Sequence, residues 1–212
     1  MKNTIRIGAI LLLGTVPFLR ADVSFQVTVD TTPLAGVKGY IAFDLLGGIP
    51  FQDNIATISS FATTGGALTA GSFKSGDVTG TLTPGPLVET ADQFFNEWSQ
   101  SITFGSEFTF NLDLTTNFIP ASIPDSFSLT LLNTGKASFA TTDPLGSDRL
   151  FAIDLVGADT TPDVFTSDFA TATVTASGGG VPEPNLLPFA ALGFGLMLAI
   201  HAIVRRARLA RS

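Results

Sequence analysis

The sequence contains no cysteine and only one histidine, His201. Without thiols the chain has no zinc–thiolate site, no iron–sulfur cluster and no cysteine nucleophile. Their absence is compatible with an oxidising compartment, which permits disulfides without requiring them. His201 lies near the basic end of an apolar segment, where an interfacial position is favoured over a functional intramembrane role. Ser-His-Asp catalysis and histidine-ligated metals are therefore excluded from the domain that precedes this segment.

Positive charge is scarce in the middle of the chain. From Asp22 to Glu183 there are four basic residues against eighteen acidic ones, a formal charge of −14. The whole chain has a formal charge of only −7 because its other seven basic residues lie near the two ends. An acidic surface repels phosphate backbones, so we predict no nucleic-acid partner. Acidity without clustering is typical of a solubility device.

The body of the chain alternates apolar and polar residues, as half-buried antiparallel strands do. In residues 107–115 the apolar side chains occupy every second position, and similar runs are separated by glycine- and proline-rich turns. The runs are at 23–29, 37–45, 55–61, 67–73, 77–82, 126–132, 149–155 and 169–175. This pattern predicts an all-β, antiparallel β-sandwich or jelly-roll-like ectodomain over residues 22–176.

One segment of the body has helix-like spacing instead. Residues 90–100 place Phe94, Phe95 and Trp98 close to a helical period. We predict a turn or two of helix here, packing its aromatic side chains onto one edge of the sandwich.

The first 21 residues have the layout of a secretory signal peptide. Lys2 and Arg6 precede an apolar run at 7–13, and Ala21 supplies a small residue at a cleavage point. Because a bilayer-spanning helix needs about 20 apolar residues, the run is too short to be one. The alternative is a buried N-terminal strand or helix. We predict export through the Sec translocon.

The last 36 residues change composition sharply. Residues 177–185 combine a glycine-rich linker with the motif Val181, Pro182, Glu183 and Pro184, and residues 186–204 are largely apolar. As a helix this apolar segment is about 28 Å long, which is enough to cross a membrane core. Residues 205–212 form a basic tail, which the positive-inside rule leaves in the cytoplasm. Its arginines are Arg205, Arg206, Arg208 and Arg211.

The C-terminal segment resembles the PEP-CTERM sorting signal of Gram-negative bacteria that make extracellular polysaccharide. The resemblance lies in the Pro182–Glu183–Pro184 triplet, the apolar segment and the terminal arginines, over about thirty residues. It implies that exosortase, an integral-membrane transpeptidase-like cysteine enzyme, processes an inner-membrane-anchored intermediate. The product is then delivered to the cell surface or extracellular matrix. The alternative is a plain membrane anchor with a proline-rich linker. Parts of residues 37–154 also resemble one group of PEP-CTERM ectodomains, a resemblance that implies no activity.

Three weaker sites are candidates in the body. Calcium prefers carboxylate oxygens, and five aspartates lie in or near loops without an EF-hand or RTX pattern, so a solvated acidic loop is the alternative. They are Asp143, Asp148, Asp154, Asp159 and Asp163. Trp98 is a candidate glycan contact, with core packing as its alternative. Among Glu89, Glu97 and Glu107, nothing in the spacing selects the carboxyl pair of a glycoside hydrolase.

Together these patterns predict an exported, non-enzymatic surface or matrix protein, sorted by its C-terminus and associated with exopolysaccharide or biofilm. It needs no cofactor, apart from the calcium that the aspartates could hold. A carbohydrate-binding module in the same matrix is the alternative, and a secreted hydrolase is the third reading.

Overall fold

The computed structural model describes residues 22–177, without the side chains of Asp22 and Ala158. The predicted signal peptide, the remainder of the linker, the predicted sorting motif, the apolar segment and the basic tail lie outside the described residues. Within the described range, none of the helical segments has the length and apolar character needed to cross a membrane.

Residues 22–177 form twelve strands and two short 3-10 turns, at Thr32–Leu34 and Gly157–Asp159. The strands are β1 Asp22–Asp30, β2 Lys38–Leu46, β3 Ile55–Thr64, β4 Ala67–Ser75, β5 Val78–Gly80, β6 Leu87–Thr90, β7 Phe95–Thr103, β8 Glu107–Thr115, β9 Ser126–Asn133, β10 Arg149–Asp154, β11 Pro162–Val164 and β12 Thr171–Ala176.

The strands form two six-stranded sheets in which neighbouring strands are antiparallel. Sheet I has the order β12-β1-β8-β3-β6-β5, and sheet II has the order β11-β10-β9-β2-β7-β4. Phe43 of sheet II packs edge-on against Phe110 of sheet I, with ring centroids 5.3 Å apart. The two sheets therefore share one core, and the predicted all-β sandwich is confirmed.

Phenylalanine fills much of this core. Six phenylalanines are almost fully buried, and several form edge-on or stacked ring pairs of the kind that aromatic side chains prefer. They are Phe43, Phe104, Phe108, Phe110, Phe127 and Phe151. The abundance of phenylalanine in the sequence is thus explained by packing between the sheets.

The helical turns expected in residues 90–100 are wrong. Phe95 to Thr103 form strand β7, which pairs along its whole length with β2. Its inner face carries Asn96, Trp98 and Ile102, whose side chains are buried at alternate or near-alternate positions. The spacing of the aromatic residues fits both a helical period and a strand period. Pairing with the distant strand β2 makes this segment a strand. The short strands β6 and β11 were not predicted from the sequence pattern.

The sandwich has two distinct ends. Strand β1 begins and β12 finishes at one of them, since Phe25 pairs with Ala176 and Asp22 pairs with Thr115. We call this the terminal end. The loops 47–54, 91–94 and 116–125 also lie there, because they join strands that finish or begin at the same level.

Candidate functional site

The outer face of sheet II carries two adjacent carboxyl groups. Asp44 of β2 is paired directly with Glu97 of β7. The neighbours of Asp44 along the strand, Phe43 and Leu45, point into the core, so Asp44 points outward. Directly opposed residues have Cβ atoms about 5 Å apart, which places the two carboxyl groups side by side.

Protonation of this carboxyl pair is shifted from its usual range. Burial raises the pKa of Asp44 to about 7, and the charge of Glu97 adds to the effect. Burial also raises the pKa of Glu97, while the ammonium of Lys136 works in the opposite direction. Asp44 therefore takes up or releases a proton near neutral pH, a property found both in functional sites and in structural clusters.

A lysine lies over two aromatic rings beside these carboxyl groups. The Lys136 ammonium, from the β9–β10 loop, is 5.6 Å from the ring centroid of Tyr40 and 5.2 Å from that of Phe73. Between the rings and the carboxyl pair lie the small buried residues Ala42 and Ser99, which are paired across β2 and β7. We call Tyr40, Phe73 and Lys136 the aromatic clamp. It offers ring faces and a cation next to hydrogen-bonding carboxyl groups.

The interior behind the clamp contains an unusual polar pair. Glu89 of β6 is fully buried and neither carboxyl oxygen has a hydrogen-bond partner; the indole Nε1 of Trp98 has none either. Burial raises the pKa of Glu89 well above its usual value, and the charges of Asp44 and Glu97 add to this. The Trp98 backbone acts to lower this pKa, although it forms no hydrogen bond of good geometry with the Glu89 carboxyl group. Burial therefore favours the protonated, neutral form of the Glu89 carboxyl group.

Trp98 does not occupy the position expected of a glycan contact. Its side chain is 6% exposed and belongs to the core shared by the two sheets. Successive side chains of a strand point to opposite faces of the sheet. Trp98 follows Glu97, which points outward, so Trp98 points inward. The expectation of a stacking surface at Trp98 is thus corrected in favour of core packing.

The structure does not join the five loop aspartates into one site. Arg149 donates to both oxygens of Asp143, at 2.7 and 2.9 Å, and these hydrogen bonds lower the pKa of Asp143 well below its usual range. Asp148 accepts from the Ser138 hydroxyl at 2.6 Å. The other three, Asp154, Asp159 and Asp163, are exposed. Across residues 22–177 no group of three carboxylate or histidine side chains is arranged to hold a metal.

The sequence patterns did not predict two further features of the structure. A hydroxyl-rich cleft of about 240 Å³ is lined by residues 140–142 and 166–168, with Asp168 as its one acidic group. The buried carboxylate of Asp125 accepts from the Gly48 backbone at 2.6 Å and from the Asn54 side chain at 2.9 Å. The signal for Asp125 was its place in a proline-rich turn, but its partners are distant in the sequence.

Comparison with known proteins adds no assignment. No family model matches the chain, and neither a curated protein nor a solved structure shows significant similarity to it. What the protein does must therefore be argued from its own residues.

Proposed function

We propose that the chain is an exported, non-enzymatic protein of the cell surface or extracellular matrix, sorted through a PEP-CTERM signal. Residues 22–176 are its ectodomain, a jelly-roll-like sandwich. Residues 186–204 anchor an intermediate in the inner membrane as a single transmembrane helix, until exosortase acts at Val181, Pro182, Glu183 and Pro184. The mature protein then contributes to the architecture of an exopolysaccharide or biofilm matrix.

The observation that carries this proposal is the order of segments after strand β12. A glycine-rich linker, the Pro182–Glu183–Pro184 triplet, an apolar segment of membrane-spanning length and a basic tail follow one another without interruption. The prolines lack a backbone donor and favour extended conformations, which suits entry into an active-site cleft. The two sheets bury a core within residues 22–177, so the sorting segment is not needed to complete it.

The sorting proposal is tested by replacing Pro182, Glu183 and Pro184 together with alanine. In a host that contains exosortase, we expect the uncut variant to accumulate in the inner membrane while the wild type is released. The matched control replaces Gly178, Gly179 and Gly180 with alanine, which alters three linker residues and leaves the triplet. Equal release of the triplet variant and the wild type would contradict sorting by this motif.

The aromatic clamp favours glycan binding as a second candidate function. Tyr40 is half-buried and Phe73 is 48% exposed, so solvent reaches part of each residue beside the hydrogen-bonding groups of Asp44 and Glu97, and the Lys136 ammonium lies over both rings. Sugar rings stack on aromatic faces, and their hydroxyls bond to carboxylates. On this reading the contact lies at the clamp, because Trp98 is enclosed by the core.

Glycan binding is tested by pulling down matrix polysaccharide with the full chain and with Phe73→Ala. Loss of retention by Phe73→Ala, with the unfolding temperature unchanged, supports the clamp; Phe169→Ala, another exposed phenylalanine, is the control. If the wild type retains no glycan, this second function is removed. Turnover of a glycan that disappears in both Asp44→Asn and Glu97→Gln would instead establish a hydrolase.

A further inference from the structure

Exposed apolar side chains gather at the terminal end of the sandwich. Of the eleven large exposed apolar residues within 22–177, six belong to the three loops there or to the first residue of β7. The other five are Val37, Phe73, Leu145, Val164 and Phe169, so this end carries more than half of the exposed large apolar residues in the described chain. The six residues are Ile49, Phe51, Phe94, Phe95, Ile119 and Ile123, and we call them the apolar end.

These side chains come from neighbouring loops rather than from separate parts of the surface. Ile49 and Ile123 are paired through two backbone hydrogen bonds of 3.3 Å. The Gly47 backbone donates to the carbonyl of Phe94 at 3.0 Å, and the Phe51 ring lies against Gly47. Gln52 ties Ile119 to the same group by accepting from its backbone at 3.1 Å. The loops that carry the apolar end are therefore joined to one another, and exposed apolar side chains grouped in this way are typical of an interaction site.

The chain leaves the sandwich at this same end. Ser177 donates to the carbonyl of Ser24 at the start of β1. Strand β12 is two strands from β8, a separation of about 10 Å, and the loop 116–125 follows β8 directly. Eight residues then separate Ser177 from the apolar segment that begins at 186. Fully extended, this connection reaches about 30 Å, so the apolar end cannot be far from the start of that segment.

The charged residues around the apolar end determine which kind of surface it can contact. The loops 47–54, 91–94 and 116–125 contain no lysine or arginine, while Asp53 and Asp92 are exposed among the apolar side chains. Such a surface gains nothing from anionic headgroups and is repelled by them. Phenylalanine and isoleucine gain from transfer out of water, which an uncharged lipid interface supplies.

We propose that the apolar end rests on the lipid bilayer from which the C-terminal segment emerges, so that the anchored intermediate stands with its terminal end in the membrane interface. This contact rests on the proposed anchoring by residues 186–204 and goes beyond it, because a long linker alone leaves the domain free of the membrane. Held in this way, the linker and the sorting motif lie between the domain and the bilayer surface.

The test uses the full chain in nanodiscs of zwitterionic phosphatidylcholine, with a single cysteine introduced for a fluorescent label. The absence of native cysteine makes each label unique. Phe94→Cys reports the apolar end, Ile123→Cys repeats the measurement from another loop, and Thr134→Cys, exposed at the opposite end, is the control. Emission from buried Trp98 verifies that each variant is folded.

We expect quenchers carried on the lipid to cause a loss of fluorescence at positions 94 and 123 and none at 134. Replacing part of the phosphatidylcholine with an anionic lipid should reduce this loss. If the chain stays in the nanodisc but no label is quenched, or all three are quenched equally, the contact is refuted while the anchoring stands. If loss of exposure at position 94 follows protein concentration instead, a second copy covers the apolar end, and the lipid contact is again refuted. If the chain does not enter the nanodisc, both the lipid contact and the proposed anchoring are refuted.

Discussion

At the scale of single residues, the buried Glu89 is the least expected feature of the molecule. A carboxyl group without a hydrogen-bond partner in a core is costly when ionised, and it remains neutral there only by holding its proton. Burial is the main cause of the raised pKa of Glu89, and the charges of Asp44 and Glu97, both on the facing sheet, add to it. The core thus contains a group that responds to pH although solvent does not reach it.

A carboxyl group with a higher pKa in the folded chain than in the unfolded chain binds its proton preferentially in the folded state. The free energy of unfolding therefore decreases as pH rises between the two pKa values. For Asp44 this window runs from its usual 3.8 to about 7, and for Glu89 it begins near 4.5 and extends upward. Each group contributes a slope of at most about 1.4 kcal/mol per pH unit.

We predict that the wild type is most stable at mildly acidic pH and loses stability toward neutral and alkaline pH. Glu89→Gln keeps the size of the side chain and removes the ionisation, so its stability should depend less on pH and exceed that of the wild type at alkaline pH. Urea unfolding followed by Trp98 emission measures both. Glu107→Gln, at the partly exposed first residue of β8 in sheet I, is the matched control. Parallel pH profiles for wild type and Glu89→Gln would show that folding does not change the pKa of Glu89 and would contradict this prediction.

At the scale of strands and loops, the turn that contains Asp125 secures the terminal end. Its buried carboxylate accepts hydrogen bonds from the Gly48 and Asn54 backbones and from the Asn54 side chain. The Asn54 side chain in turn bonds to Thr115, the last residue of β8, and to Asn117 just after it. Asp125 therefore links the loop before β3 to the loop before β9.

We predict that Asp125→Ala lowers the free energy of unfolding by about 3 kcal/mol, because it leaves several buried donors without an acceptor. Hydrogen exchange should accelerate first in the loops 47–54 and 116–125. Asp168→Ala, at an exposed aspartate, is the control and should change stability by less than about 0.5 kcal/mol. Unchanged exchange in both loops would mean that Asp125 does not hold them together.

The strands show what sequence patterns can and cannot predict. The alternation in residues 107–115 predicted β8 because its inner residues are uniformly apolar. In β7 the inner face includes Asn96, which bonds to the Leu45 carbonyl, and this polar residue obscured the period. The pairing of Asp44 with Glu97 and the position of Lys136 over Tyr40 depend on strands and loops that are distant in sequence. The carboxyl pair and the clamp therefore had no local signal.

The sequence contains a signal for the terminal end that a search for hydrophobic periodicity does not detect. Ile49, Phe51, Ile119 and Ile123 are large apolar residues inside proline-containing turns, where exposure is expected. Such residues in a turn point to a surface contact rather than to a core. Only the register of the strands reveals that the three loops meet at one end.

At the scale of the whole molecule, the chain divides into two parts of different composition. A sandwich rich in acidic residues and phenylalanine is followed by a segment whose composition suits a bilayer. Both described ends of the sandwich, at Asp22 and Ser177, lie at its terminal end. This arrangement suits the proposed position of the domain on one side of a membrane, because it leaves the segments before and after the domain unobstructed.

The most direct measurement is the topology of the full chain in a Gram-negative host, read with single cysteines and a membrane-impermeant maleimide. We predict that Thr134→Cys is labelled in cells with a permeabilised outer membrane, whereas Leu209→Cys, beside the terminal arginines, is labelled only after the inner membrane is opened. Fractionation should place the unprocessed chain with the inner membrane. Labelling of neither position in cells with an intact inner membrane, with the chain soluble in the cytosol, would contradict export, anchoring and sorting together.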